Sequence, residues 1–176
     1  MSIDFQLDSG DLPRFFCAER DAFTDRAGFL IPDAQRRRDW ADRLRPWQAT
    51  PRVGIAWCGH EDLKRAPDAK HGPTLEDVLP LVRGEGACFV SLQPGDSTPA
   101  VEALQACGAD LQDWIDYDPT HDLDGLAALV AELDLVISAD ITIAVVSAMV
   151  GTECWYLGDA ATDWCLLSDQ DTSPWF

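Results

Sequence analysis

Beyond Arg83 the chain contains no lysine and no arginine. All thirteen basic side chains of the 176 residues fall within residues 1 to 83, beside fourteen acidic ones, for a net charge of −1. Residues 84 to 176 carry seventeen acidic groups and a net charge of −17. A surface of one sign repels the phosphates of nucleic acid and of anionic lipid, so neither is expected as a partner. A nucleotide diphosphate bound to that half would need its positive charge from the first half or from a metal ion.

Other absences narrow the class further. No apolar run reaches the length that spans a bilayer, and "MSIDFQLDSGDLPRFF" lacks a basic region followed by an apolar one, so no secretory signal is read. A cytoplasmic location is the default expectation. The six cysteines (Cys17, Cys58, Cys88, Cys107, Cys154, Cys165) form no CxxC pair and read as buried free thiols. Cys58 with His60 supplies too few ligands for a tight metal site. GxGxxG, GxxxxGK[ST] and GxSxG are all missing, which removes the common dinucleotide, P-loop and nucleophile-elbow signatures. There is no internal repeat and no low-complexity tract.

What remains is a chain of one-domain length with 47% hydrophobic residues. From Pro51 onward short apolar runs alternate with helical patterns. "RVGIAW" (52–57), "ACFVSLQPGD" (87–96), "LQDWIDY" (111–117), "DLVISA" (134–139) and "TECWYLG" (152–158) read as strands. "TLEDVLPLVRG" (74–84), "TPAVEALQACG" (98–108), "DLDGLAALVAEL" (122–133) and "ITIAVVSAMVG" (141–151) read as helices, with Thr74 and Thr98 as caps. This alternation predicts an α/β fold: a single Rossmann-like domain over 51–176, with a parallel sheet of about five strands flanked by helices. Residues 1–50 read as a helical or irregular lead-in packing on the sheet. Its helix "PDAQRRRDWADRLRPW" (32–47) has an arginine-rich face that either stays solvated or docks on the acidic half.

In such a sheet ligands bind beyond the carboxyl ends of the strands. The longest loop there, "CGHEDLKRAPDAKHG" (58–72), carries Lys64, Arg65, Lys70, His60 and His71. The corner Ser138-Ala139-Asp140 opens a helix whose first N–H groups and dipole favour an anion. Asp140 or Ser138 would cap that helix, and a capping carboxylate takes up donors a phosphate would use. Asp140 therefore suits a ribose or sugar hydroxyl better than a phosphate. Trp57, Trp164 and Trp175 read as core or lid residues.

Taken in order, "IPDAQRRRDWADRL", "RVGIAWCGH", "TLEDVLPLV", "CFVSLQPGD", "DLDGLAALVAELDLVISAD", "AMVG" and "DWCLLSDQDTSPWF" resemble the C-terminal half of a GT-B glycosyltransferase. The likeness is to the heptosyltransferase-like (family 9) domain of the kind fused to tetratricopeptide repeats, and it covers residues 30 to 176. The resemblance implies glycosyl transfer from a nucleotide-diphosphate sugar held at the carboxyl edge, with no other cofactor and no indicated Mg²⁺ site. It implies Gly59, His60, Lys64, Arg65 and His71 around the phosphates, and Gln93, Asp140 and Thr142 lining the sugar and ribose. The acceptor and the catalytic base would belong to an N-terminal half, or a repeat domain, outside these residues.

The departures from the family pattern share a direction. Pro94 stands where the family's "SLQKG" has lysine, and in "DTxxxH" Ile141 replaces threonine and Val145 replaces histidine. Cys165, Gln170 and His71 stand where arginine is common. Two readings follow: an enzyme that binds a nucleotide sugar, or a catalytically degenerate glycosyltransferase-like domain serving as a binding or scaffold module.

Overall fold

The computed structural model describes residues 6–23, 28–58, 73–84, 86–114, 116–157 and 173. A short helix α1 (Leu12–Phe16) and a longer α2 (Ala34–Leu44) precede β1 (Arg52–Ala56). Then follow α3 (Leu75–Val82), β2 (Cys88–Ser91), α4 (Thr98–Ala106), β3 (Leu111–Gln112), α5 (Leu123–Val130), β4 (Leu135–Ser138), α6 (Ile141–Val150) and β5 (Cys154–Tyr156). The five strands form one all-parallel sheet in the order β3-β2-β1-β4-β5. The expected α/β fold with a five-stranded parallel sheet is what the chain adopts.

The strands are apolar almost throughout because both sheet faces are covered. Alternate residues serve opposite layers. Val53, Ile55, Trp57, Phe89 and Ile137 join Val78, Val82, Val101 and Leu104 under α3 and α4. Ala56, Val90, Leu92 and Val136 point the other way, onto Leu126, Leu129, Ile143 and Val146 of α5 and α6. In central strand β1, Gly54 lets two leucines close over the backbone: an added Cβ there would stand 2.6 Å from Leu92 and 2.7 Å from Leu133. Trp40 and Leu44 of α2 complete the second layer, and Trp40 packs edge-on against Trp114 and Tyr117 at 5.3 and 5.0 Å.

The arginine-rich face of α2 docks on the acidic half. Arg36 meets Asp122 at 2.5 Å and Asp124 at 3.2 Å; Arg37 meets Glu132 at 2.7 Å and Arg43 meets Asp116 at 2.5 Å. At the start of β1, Arg52 holds Asp134 just before β4. Asp122 also caps α5, accepting from the Gly125 N–H at 3.0 Å. These contacts hold the carboxyls of Asp116 and Asp134 below the usual carboxylate range through their arginine hydrogen bonds. The Gly125 N–H, then Arg36, does so for Asp122.

Helix boundaries follow local chemistry. Asp33 caps α2 through the Gln35 and Arg36 N–H groups, and Thr74 with Asp77 forms a capping box on α3. Helix α6 is built largely from β-branched residues, yet forms because Asp140 caps its start and left-handed Gly151 ends it. Two expectations shift. The strand read over 111–117 is only Leu111–Gln112, since it pairs with β2 at Phe89 and Val90 alone. Helix α4 starts at Thr98 itself, with Ser97 before it and the Asp96 carboxylate accepting from the Thr98 N–H. Of the cysteines, Cys88 is buried, Cys17, Cys58 and Cys154 are half-buried and Cys107 is exposed; Cys165 lies outside the described residues. Burial pushes the Cys88 and Cys154 thiols up to about 11.

Gly54→Val is expected to destabilise the chain by about 1–3 kcal/mol through overpacking, read as a lower urea midpoint at unchanged m-value. The arginine-paired aspartates titrate lower folded than unfolded. They therefore add stability above the ordinary aspartate value of about 4 and lose it as pH falls through their folded values. Protonation also relieves the self-repulsion of the acidic surface, so the comparison must be with a variant. Arg43→Ala should show a smaller fall in stability between pH 6 and pH 3 than the parent, measured by urea denaturation.

Candidate functional site

The strand order reverses direction between β1 and β4: the chain runs outward from β1 through β2 to β3, then crosses back to β4. Their carboxyl ends are therefore the topological switch point, where sheets of this kind bind ligands. Two side chains organise it. Gln93, just beyond β2 and 6% exposed, accepts from the Trp57 N–H at 2.9 Å and the Cys58 N–H at 3.0 Å. Its amide donates to the Cys58 carbonyl at 2.8 Å. Three hydrogen bonds from one side chain thus continue the β1–β2 link past the end of the strands, as far as Cys58.

On the other side of β1 stands the corner after β4. The Ala139 N–H donates to the Ala56 carbonyl at 2.7 Å, pinning the corner to β1. Ser138, fully buried, closes the turn: its hydroxyl accepts from the Asp140 N–H and donates to the Asp140 carbonyl, each at 2.9 Å. Asp140 Oδ1 accepts from the Thr142 and Ile143 N–H groups at 2.8 and 3.2 Å. Two of the N–H groups that an anion at this helix start would use are thus already bonded. Thr142 is exposed on the first turn of α6, and Val145 is half-buried one turn further.

The structure thus brings Gln93, Asp140 and Thr142 to one edge of the sheet, on either side of Trp57–Cys58. Gly59, His60, Lys64, Arg65 and His71 lie outside the described residues, as do Trp164, Trp175 and Gln170. Among the described residues no group of three or more His, Cys, Asp or Glu is placed to hold a metal ion. No helix among them is long and apolar enough to cross a membrane.

The loops 93–98 and 117–122, which the sequence also places beyond the carboxyl ends of strands, frame a further feature of this edge. A cavity of about 250 Å³ opens at the carboxyl ends of β2 and β3, with Ser91, Asp113, Trp114 and Tyr117 in its wall and α4 beginning at its rim.

The comparisons with known proteins agree with this geometry. No family model matches the chain. Protein FlbA of Caulobacter vibrioides is 30% identical over 175 residues, which cover 98% of this chain and 28% of that protein. The solved structure of E. coli ADP-heptose lps heptosyltransferase II superposes with a TM-score of 0.50 at 13% identity. The match covers 71% of this chain and 38% of that one. The chain therefore spans well under half the length of either protein. At that identity the likeness defines the fold: a Rossmann-like α/β domain of the type found in GT-B glycosyltransferases.

Gln93→Ala leaves the Trp57 and Cys58 N–H groups and the Cys58 carbonyl without their partner. A loss of about 1–3 kcal/mol of stability is expected. Hydrogen exchange should show the Trp57 and Cys58 amides less protected, while the amides of β4 keep their protection.

Proposed function

We propose that this chain is a glycosyltransferase-like domain that binds a nucleotide-diphosphate sugar at the β1/β4 switch point and works with a separate acceptor-binding half. The observation that carries the reading is the topological switch point between β1 and β4. Gln93 holds the exit of β1 on one side, and on the other Asp140 caps α6 at the switch point of a parallel sheet shared with a heptosyltransferase. Asp140 and Thr142 would face the sugar and ribose hydroxyls. Gly59, His60, Lys64, Arg65 and His71 would meet the diphosphate, since no basic residue follows Arg83. Transfer would proceed through an oxocarbenium-like transition state, the leaving diphosphate being stabilised by backbone N–H groups and these cations. The general base would come from the acceptor half, carried by a longer chain or a partner.

A second reading has its own observation. The Thr142 and Ile143 N–H groups are bonded to Asp140, and hydrophobic Ile141 and Val145 occupy the first turns of α6. A charge-assisted hydrogen bond is worth about 1.5–3 kcal/mol, so losing several weakens diphosphate binding by orders of magnitude. On this reading the domain keeps the glycosyltransferase frame and serves as a binding or scaffold module.

Calorimetric titration of UDP, GDP and ADP and their sugars, with and without Mg²⁺, separates the two. The first reading expects one nucleotide to bind below millimolar, and the Lys64→Ala, Arg65→Ala double variant to weaken it at least about tenfold, as loss of a charge-assisted contact requires. No binding below millimolar leaves the module reading standing.

A further inference from the structure

Exposed apolar side chains are distributed as unevenly as charge. Among the described residues nine large hydrophobic side chains are exposed, and six of them, Leu7, Leu12, Phe15, Phe16, Phe29 and Ile31, precede α2. Residues 84 to 176, with their net charge of −17, contribute Leu123 and Trp155 to this set. Apolar side chains scattered singly are ordinary on a surface, whereas a group concentrated in one segment marks an interaction site.

The segment is anchored with these side chains outward. Gly28, in the left-handed region at φ +70°, brings the backbone against the end of α6, where a Cβ would stand 3.2 Å from the Val150 carbonyl oxygen. The Leu30 N–H then donates to the Met149 carbonyl at 2.8 Å, and the Leu30 side chain packs on the second apolar layer. Its neighbours Phe29 and Ile31 are left outside, 63% and 87% exposed. In α1, Leu12, Phe15 and Phe16 stand at i, i+3 and i+4 on one helical face, and none of them is buried. A helix of five residues has too few hydrogen bonds to be stable alone, so its bare apolar face points to a partner. The Leu30–Met149 contact lies where α6 ends and β5 begins, at the amino edge of the sheet. A partner seated there leaves the β1/β4 switch point open.

Charge selects the occupant. A basic partner would be drawn to residues 84 to 176, and its apolar anchors would belong among those carboxylates. The apolar set lies elsewhere: residues 7–31 hold five acidic and three basic groups, a net charge of −2 against −17. That is a surface an equally acidic molecule can approach without strong repulsion. We propose that the occupant is a second copy of this chain. Two copies associate about a two-fold axis through residues 7–31, with Phe15, Phe16, Phe29 and Ile31 as anchors and the two acidic halves turned away from each other. In a two-fold contact the same patch serves both molecules, so each anchor is buried twice, and aromatic side chains are the type enriched at the centre of such interfaces. The inference goes beyond the nucleotide-sugar reading and uses neither Gln93, Asp140 nor the 59–72 segment.

Sedimentation velocity on the full 176-residue chain, over a series of protein and sodium chloride concentrations, reads the association directly. A concentration-dependent dimer is expected. It should tighten as salt rises, because screening relieves the repulsion between two acidic molecules and leaves the apolar contact in place. Phe29→Ser with Ile31→Ser, and separately Phe15→Ser with Phe16→Ser, should each weaken the dimer at least about thirtyfold, the effect of truncating one interface hot spot. All four side chains are exposed in the single chain. Both variants should therefore keep the parent's urea midpoint at dilutions where the parent is monomeric, which separates lost association from lost folding. Should a serine pair not fold, Ile31→Ser alone, at the most exposed of the anchors, must still weaken the dimer severalfold. Trp155→Ser removes an exposed aromatic from the acidic half and should leave the dimer unchanged. A chain that stays monomeric at every protein and salt concentration overturns the proposal. So does a dimer that salt dissolves, which ion pairs would hold, and so does growth beyond the dimer, which a closed two-fold contact forbids. A dimer that survives either serine pair, or that Trp155→Ser weakens as much, overturns the placement on residues 7–31. Nucleotide titration reads the switch point separately, so either assignment can fail without the other.

Discussion

A parallel sheet is stable only when both of its faces are dry, and the rest of this molecule follows from meeting that demand. The βαβ units supply α3 and α4 for one face, and α5 with α6 for the other. The second layer is closed only when α2 lays Trp40 and Leu44 over it. A segment outside the strand–helix alternation is thereby part of the core. Its arginines then rim the apolar seam, and each of Arg36, Arg37 and Arg43 finds its carboxylate 73 to 95 positions further along the chain. With the faces sealed, polar chemistry is left to the strand ends.

At the carboxyl edge the described polar groups are committed to structure. Gln93 spends three hydrogen bonds on the end of β1. Asp140 organises the start of α6 and in doing so limits what an incoming anion can gain there. Among the described residues this end of the sheet is therefore well ordered by hydrogen bonds and brings no basic side chain. The cavity at the ends of β2 and β3 shares Gln93 with this edge and is lined by Asp96, Asp113 and Asp118.

Much of the frame could be read from the sequence because its signals are local. Apolar runs of four to six residues, Thr74 and Asp140 as caps, and Gly151 after a periodic stretch each depend on neighbours within one turn. The parts that escaped depend on distant partners. Nothing near Arg36 announces Asp122, and the Gln93 side chain bonds to backbone groups 35 and 36 positions earlier, which leave no trace in residue type. The region 111–117 looked like a strand because Trp114, Ile115 and Tyr117 are large and apolar. In the fold Trp114 and Tyr117 turn toward Trp40 instead of extending β3. The resemblance to GT-B domains singled out Gln93, Asp140 and Thr142, which the fold brings to one edge, and its CFVSLQPGD stretch also lines the cavity at the ends of β2 and β3.

The one-sided placement of basic residues has a consequence for how the chain can be cut. Trypsin cleaves only after lysine or arginine, so everything from Gly84 onward, four of the five strands included, is a single piece to that protease. The only two lysines, Lys64 and Lys70, both lie between β1 and α3. A cut there would separate α2 and β1 in sequence from the strands they cover, leaving the two pieces joined by the sheet ladder, the shared apolar layer and the arginine–carboxylate contacts. The fold is in this sense a two-part assembly written as one chain, with its seam running through the centre of the sheet.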